Sequence, residues 1–388
     1  MRTAPTLILT LALLLAGTAV HAGWEEGVAA LKKGDYATAA KEFKTVVDEQ
    51  PDWAPGQRML GQVLVKLGRT DEALTHLRKA YDLNSSDAAT QFALGQAYVE
   101  ARRYADGASI LGKLDRSKLP AAQQGTLDQL LAVALSKSGQ SGQALAALAR
   151  AAAASPNDAK VQYQYGVAAL NAGDLSTAIT ALEKSVRTKA DGDNRKALVQ
   201  ALMQQGRRTS GSSKTTSYRR ATEVANGLVS SSASYDNLLM LAGAALGAKD
   251  FDTVISAADR ASRINSNDWL PAYYKGQAYT KKEQYSSAEQ SLRTALDNAS
   301  SSADRTTVLS QLGFVYEKRR AFDEAIAAYR QAGDSAAAER VRKNKETEEF
   351  NSQVEAENRK IEELRAEEER LKKQLQNLPG SSDPPFLF

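Results

Sequence analysis

From about residue 20 to residue 337, apolar positions recur along this chain at spacings of three and four, the period of an amphipathic helix. Within that pattern, residue size also repeats. A small residue stands at Gly27, Gly61, Gly95, Ala132, Gly166, Val199, Ala242, Gly276 and Gly313, in steps of 33, 34 or 37 residues with one step of 43. A second series lies twelve residues further on, at Ala39, Ala73, Gly107, Ala144, Ala178, Val254, Ala288 and Ala325. In the sixth unit the matching residue, Ala221, lies 22 residues after Val199, which marks an insertion of about ten residues.

Turns separate the two series, among them Lys33-Gly34-Asp35-Tyr36, Leu67-Gly68-Arg69, Ala172-Gly173-Asp174 and Gln205-Gly206-Arg207. Glycine supplies the positive φ that ends one helix, and Asp or Ser caps the next. Each unit is therefore predicted to be two antiparallel helices. Where those helices cross, small residues let the axes approach, and Phe43, Leu77, Leu111, Leu148, Leu182, Leu292 and Tyr329 fill the space beside them. Packing fixes size at these sites and leaves the solvent face free to vary. The inserted stretch GRRTSGSSKTTSYRR, 206–220, reads as a mobile loop between the helices of the sixth unit. Its basic residues, Arg207, Arg208, Lys214, Arg219 and Arg220, are either simply solvated or a contact for an acidic partner or lipid head groups.

The spacing resembles the tetratricopeptide repeat, a unit of 34 residues with small residues at its eighth and twentieth positions. Pro51 and Pro156 match its helix-ending thirty-second position, and Tyr36, Tyr104, Phe251, Tyr285 and Phe322 its seventeenth. The resemblance covers residues 20–337 as nine units, near 23–53, 54–87, 88–121, 125–158, 159–191, 192–233, 235–268, 269–302 and 306–337. Val199 and Val254 depart from the pattern, with a branched side chain where Gly or Ala is expected. The resemblance implies an all-α fold, a right-handed α-solenoid in which neighbouring hairpins share one core. It also implies a groove lined by the first helix of each pair. Fifth positions there are Arg58, Phe92, Gln129, Tyr163, Lys196 and Tyr273, and ninth positions include Gln62, Gln96, Gln200 and Gln277. A ladder of amides suits the backbone of an extended peptide, and aromatics add contact area. Glutamine is equally a good helix former on a wet surface, and aromatics with amides serve sugars as readily as peptides.

After residue 337 the period changes to a heptad. Phe350, Val354, Ile361, Leu364, Leu371, Leu375 and Leu378 occupy a and d positions within 338–378, interrupted in the same register by Thr347, Glu357 and Glu368. Two readings fit: a short coiled coil joining two copies, which the spacing favours, or a solvated helix laid back on the last repeat. Pro379-Gly380 then stops the helix, and residues 379–388 form a flexible tail ending in three apolar residues, a place for membrane contact.

Composition narrows the function. Residues 1–22 carry one charge at Arg2, an apolar run from Leu7 to Ala16 and small residues Val20 and Ala22 before Gly23, the pattern of a cleaved secretory signal. The apolar run is about half of what a spanning helix needs. Export without a single cysteine leaves stability to packing alone. A bacterial envelope location, periplasmic or associated with the outer membrane, follows as an expectation. The net charge of +4 and the interleaving of acids and bases leave no footprint for nucleic acid. Of two histidines, His21 lies in the leader, so His76 stands alone, and no cofactor, metal cluster or nucleophile constellation can be assembled. The expectation is a non-enzymatic scaffold or assembly factor that binds envelope proteins, with a membrane-tethered spacer or a carbohydrate-binding solenoid as alternatives.

Overall fold

The computed structural model describes residues 22–377, and every regular element among them is helical, with no strand among the described residues. The predicted leader through His21, and Leu378 with the tail that follows it, lie outside the described residues. The chain forms two compact units, one ending at Ser210 and the other beginning at Gly211.

In the first unit the order is α1 (22–32), α2 (Tyr36–Glu49), α3 (Ala54–Lys66), α4 (Thr70–Leu83), α5 (Ala88–Glu100), α6 (Tyr104–Lys113), a short 3-10 turn (Arg116–Lys118), α7 (Ala121–Lys137), α8 (Ser141–Ala154), α9 (Ala159–Asn171), α10 (Leu175–Thr188) and α11 (Gly192–Arg208). From α2 onward each helix packs on the next, and α3 touches α5, α5 touches α7 and α9 touches α11. First helices of these successive hairpins therefore lie side by side, α3 with α5, α5 with α7, and α9 with α11. The second unit holds α12 (Gly211–Ser231), α13 (Tyr235–Ala248), α14 (Phe251–Ile264), α15 (Trp269–Lys281), α16 (Tyr285–Asn298), α17 (Ser302–Lys318), α18 (Phe322–Gln331) and α19 (Ser335–Gln376). The same pairing recurs there, with α13 against α15 and α15 against α17.

The size code is built as the repeat spacing predicts. A Cβ added at Gly61 would lie 2.5 Å from Leu77 Cγ, at Gly166 2.6 Å from Leu182 Cγ, and at Gly276 2.5 Å from Leu292 Cγ. Gly27 meets the Phe43 ring and Gly313 the Tyr329 ring in the same way. Ala39, Ala73, Ala178, Ala288 and Ala325 are fully buried at the second crossing point. The departure at Val254 has a counterpart. Where the other hairpins carry Leu77 or Leu182, this one carries Ala258, and both Val254 and Ala258 are fully buried, so the added and missing volume offset each other.

Turn chemistry holds in part. Gly34, Gly68, Gly139, Gly173 and Gly333 adopt positive φ, and Asp35, Asp174, Asp250 and Asp334 cap the following helix through their side chains. Four hairpins place a non-glycine residue in the left-handed region instead: Arg102, Lys249, Glu283 and Arg320. In the sixth unit the sequence reading fails. Gly206 is no turn residue but lies buried inside α11, and the stretch expected to be a mobile loop is helical on both sides of a two-residue break at Thr209 and Ser210. The insertion lengthens the two helices, and Tyr218, three residues before Ala221 as Tyr36 is before Ala39, is buried against Gly247 of α13 directly after the added residues of α12. An apolar anchor of that size holds the segment as helix, which a reading of its Ser, Gly and Arg content could not see.

Helix α19 begins as a cap on the second unit. Ala338 and Val341 join the core formed by Leu312, Val315, Tyr316 and Tyr329, while Arg340 bonds Glu317 and Lys345 bonds Asp323 at 2.7 Å. From Phe350 to Asn377 every residue is exposed. The C-terminal helix is thus docked for its first turns and unaccompanied for the rest.

Candidate protein-binding faces

The predicted groove residues lie on first helices: Arg58 and Gln62 on α3, Phe92 and Gln96 on α5, Gln129 on α7, Tyr163 on α9, Lys196 and Gln200 on α11, and Tyr273 and Gln277 on α15. All are half-buried except Gln200, which is exposed. Eight of them belong to the first unit and two to the second.

Several are committed to holding neighbouring repeats together. Arg58 Nε lies 3.6 Å from Asp87 Oδ2, and Asp87 caps α5 by accepting from the Thr90 amide at 3.0 Å. Burial alone would raise the Asp87 carboxyl, but the Thr90 hydroxyl and amide and the Arg58 charge together hold it below its ordinary value. Phe92 packs against the core cluster around Leu127 and Leu131 of α7. The Tyr273 ring packs at a tilt against Trp269, centroids 5.3 Å apart, and shares a side-chain hydrogen bond with Gln277. Of the predicted residues, this pair is brought into direct contact.

Another amide series, one position before the predicted fifth, is structural. Gln57 donates to the Pro51 carbonyl at 2.7 Å, Gln91 to Ser85 at 2.7 Å and Gln162 to Ala152 at 2.9 Å, each reaching back toward the end of the preceding hairpin. Gln57 Oε1 also accepts from His76 Nδ1 at 2.7 Å, so the lone histidine of the described residues is a half-buried packing partner. Asp128, 1% exposed, stands in the equivalent place on α7, between Arg150 at 2.9 Å and Arg116 at 3.2 Å. Its charge is met within the fold.

Two recesses open on first-helix faces, one in each unit. Between α7 and α9 a cavity of 240 Å³ is floored by Ala132, Val133, Leu148, Val167 and Ala168, with Tyr163, Ser136 and Lys137 at its edge. Burial, and then the Asp193 and Asp191 carboxylates, push the Tyr163 phenol up, so it stays a neutral donor. In the second unit a cavity of 710 Å³ is lined by Lys214, Lys249, Lys281, Gln277, Gln311 and Phe314 among others. Three ammonium groups, two amides and the rings of Phe251 and Phe314 line it, with no carboxylate among the lining residues. Gln277 is among the groove residues expected from the sequence and Lys214 among the basic residues offered to an acidic partner, whereas Lys249 and Lys281 were not singled out. Lys281 was legible as a polar residue four positions on, one turn along the same helix, whereas the placement of Lys214 was hidden by the expectation of a loop. Among the basic residues of that stretch, Arg208 donates to the Gly173 carbonyl at 3.1 Å, and Lys214 lines the recess of the second unit.

Among the described residues no group of three His, Cys, Asp or Glu side chains could hold a metal ion, and no helix is long and apolar enough to cross a membrane. The geometry offers two grooves made of repeated helix faces.

Comparison with known proteins agrees with that architecture. Residues 61–101 match the family described as TPR repeat, and residues 130–194 the family described as tetratricopeptide repeat. Over those residues the chain carries tetratricopeptide repeats, a class of repeat that serves as a protein-interaction scaffold. No curated protein sequence matches the chain. Similar solved structures include MamA from Desulfovibrio magneticus RS-1, at 19% identity and a TM-score of 0.38, covering 45% of this chain and 94% of that one. YrrB, described as a TPR protein with an unusual peptide-binding site, is 19% identical with a TM-score of 0.38 and covers 61% of this chain and 99% of its own. The TPR domain of P58(IPK) covers 78% of this chain and 98% of its own at 14% identity and a TM-score of 0.25.

Proposed function

We propose that the chain is a non-enzymatic scaffold of the bacterial cell envelope, periplasmic or associated with the outer membrane, which holds segments of envelope proteins along its first-helix faces. The observation that carries this reading is the recess between α13, α15 and α17. Its lysines, amides and exposed Phe314 line a cavity of 710 Å³. That combination suits a protein segment: amides pair with peptide groups, an aromatic ring takes an apolar side chain, and ammonium groups favour carboxylates. The apolar recess between α7 and α9 supplies a second anchor point of the kind that dominates binding energy at interfaces.

The signal-like leader supports the envelope location. The test compares proteins crosslinked to the wild type in its native envelope with those crosslinked to a variant carrying Gln62→Ala, Gln96→Ala, Gln200→Ala and Gln277→Ala. Specific adducts lost in the variant are the expected result. Adducts that persist unchanged, with the variant folded by circular dichroism, would count against the amide face.

A further inference from the structure

The exposed part of α19 carries six large apolar residues on one stripe, Phe350, Val354, Ile361, Leu364, Leu371 and Leu375, and Phe350 and Leu364 are each 64% exposed. Twenty-seven residues, about 40 Å of helix, extend beyond the docked turns. A helix this charged elsewhere and this apolar along one seam has the form of half an interface.

We propose that a second copy of the chain covers this stripe, and that the two α19 helices pair antiparallel about a point midway between Ile361 and Leu364. The stripe reads the same in both directions about that point. In the antiparallel register Ile361 faces Leu364 of the second copy, Val354 faces Leu371, Phe350 faces Leu375, and Glu357 faces Glu368. Every large apolar residue of the seam then meets another. A parallel pair also matches apolar with apolar, and sets Glu357 and Glu368 each against itself, so the core residues alone do not choose the direction.

The flanking charges do. With the heptad fixed by Val354 at a, Lys360 and Glu367 fall at g, and Asn358, Arg365 and Lys372 at e. Antiparallel helices bring g against g and e against e. Lys360 then meets Glu367 of the second copy, twice by symmetry, while Arg365 meets Asn358 and Lys372 meets Asn351. No like charges oppose at the flanks, and Arg365 stands beside the layer where Glu357 and Glu368 face each other. Parallel helices bring g against e of the next heptad, which sets Lys360 against Arg365 twice and leaves only Glu367 with Lys372 in attraction. Like charges across a seam act against a pairing as opposite charges favour it, so charge complementarity selects the antiparallel arrangement.

The chain contains no cysteine, so introduced thiols report orientation without background. The full-length protein is examined by sedimentation equilibrium at rising concentration, beside Ile361→Glu/Leu364→Glu, whose changes fall on exposed positions. The expected result is a doubling of mass that the double variant loses while its helicity at low concentration is unchanged. A wild type that stays monomeric, or a dimer that survives in the double variant, overturns the proposal; a monomer would leave the stripe to a different protein. For direction, Val354→Cys and Leu371→Cys chains are oxidised separately and mixed. A disulfide formed only in the mixture is expected. Disulfide dimers formed by each variant alone would show parallel helices and overturn the antiparallel register.

Discussion

Gly95 lies where α5 crosses α6, and a Cβ there would fall 2.3 Å from Leu111 Cδ2, a side chain 1% exposed with nowhere to retreat. Gly95→Ala is therefore expected to cost about 1–3 kcal/mol by overpacking, measured by chemical unfolding. Gly142→Ala, on α8 where a Cβ meets nothing within 4 Å, is expected to be neutral or to stabilise by up to about 1 kcal/mol. His76 carries a different dependence. Burial lowers its pKa, with Glu72 opposing, so the unfolded chain takes up a proton near the ordinary value of about 6.5 before the folded one does. Stability therefore falls as pH drops through that value, because the unfolded state binds more protons. Thermal unfolding of the wild type is expected at lower temperature at pH 5.5 than at pH 7.5, roughly one unit either side of that value, and His76→Gln should flatten the difference. Residue size at the crossings was legible from spacing, because only a small residue fits there. The left-handed Arg102, Lys249, Glu283 and Arg320 were not, since nothing in a charged side chain announces a positive φ.

At the scale of the element, caps and length matter. Asp250 accepts from the Thr253 amide at 3.2 Å and the Thr253 hydroxyl at 2.7 Å, and Asp250→Ala is expected to destabilise by about 1 kcal/mol, read as a lower denaturant midpoint. The long α12 shows why element boundaries are harder to read than repeats. Its added residues are polar and carry no apolar period, whereas Tyr218, buried against Gly247, stands three residues before Ala221 at the aromatic position of the repeat. The heptad stripe of α19 was legible because a seam that stays exposed over many turns keeps its period visible. Its first turns, where Ala338 and Val341 dock on the last hairpin, follow a different face and were invisible in the heptad pattern.

Over the whole chain, the hairpin order was readable from one repeated size code, and two repeat-family matches fall within it. The binding faces were readable only as positions. Arg58 and Phe92 are spent between repeats, while the lysines around Gln277 come from helices far apart in sequence. The division of the chain between Ser210 and Gly211 falls inside the sixth unit, so the two faces belong to separate compact units. The most direct test of the binding role places a photo-crosslinking residue, one position at a time, at Tyr163, at Gln277 and at the exposed second-helix residue Thr294 in cells that make the protein. Discrete protein adducts from the first two positions and none from Thr294 are expected. Adducts from Thr294 alone, or equally from all three, would contradict the claim that first-helix faces hold the partners.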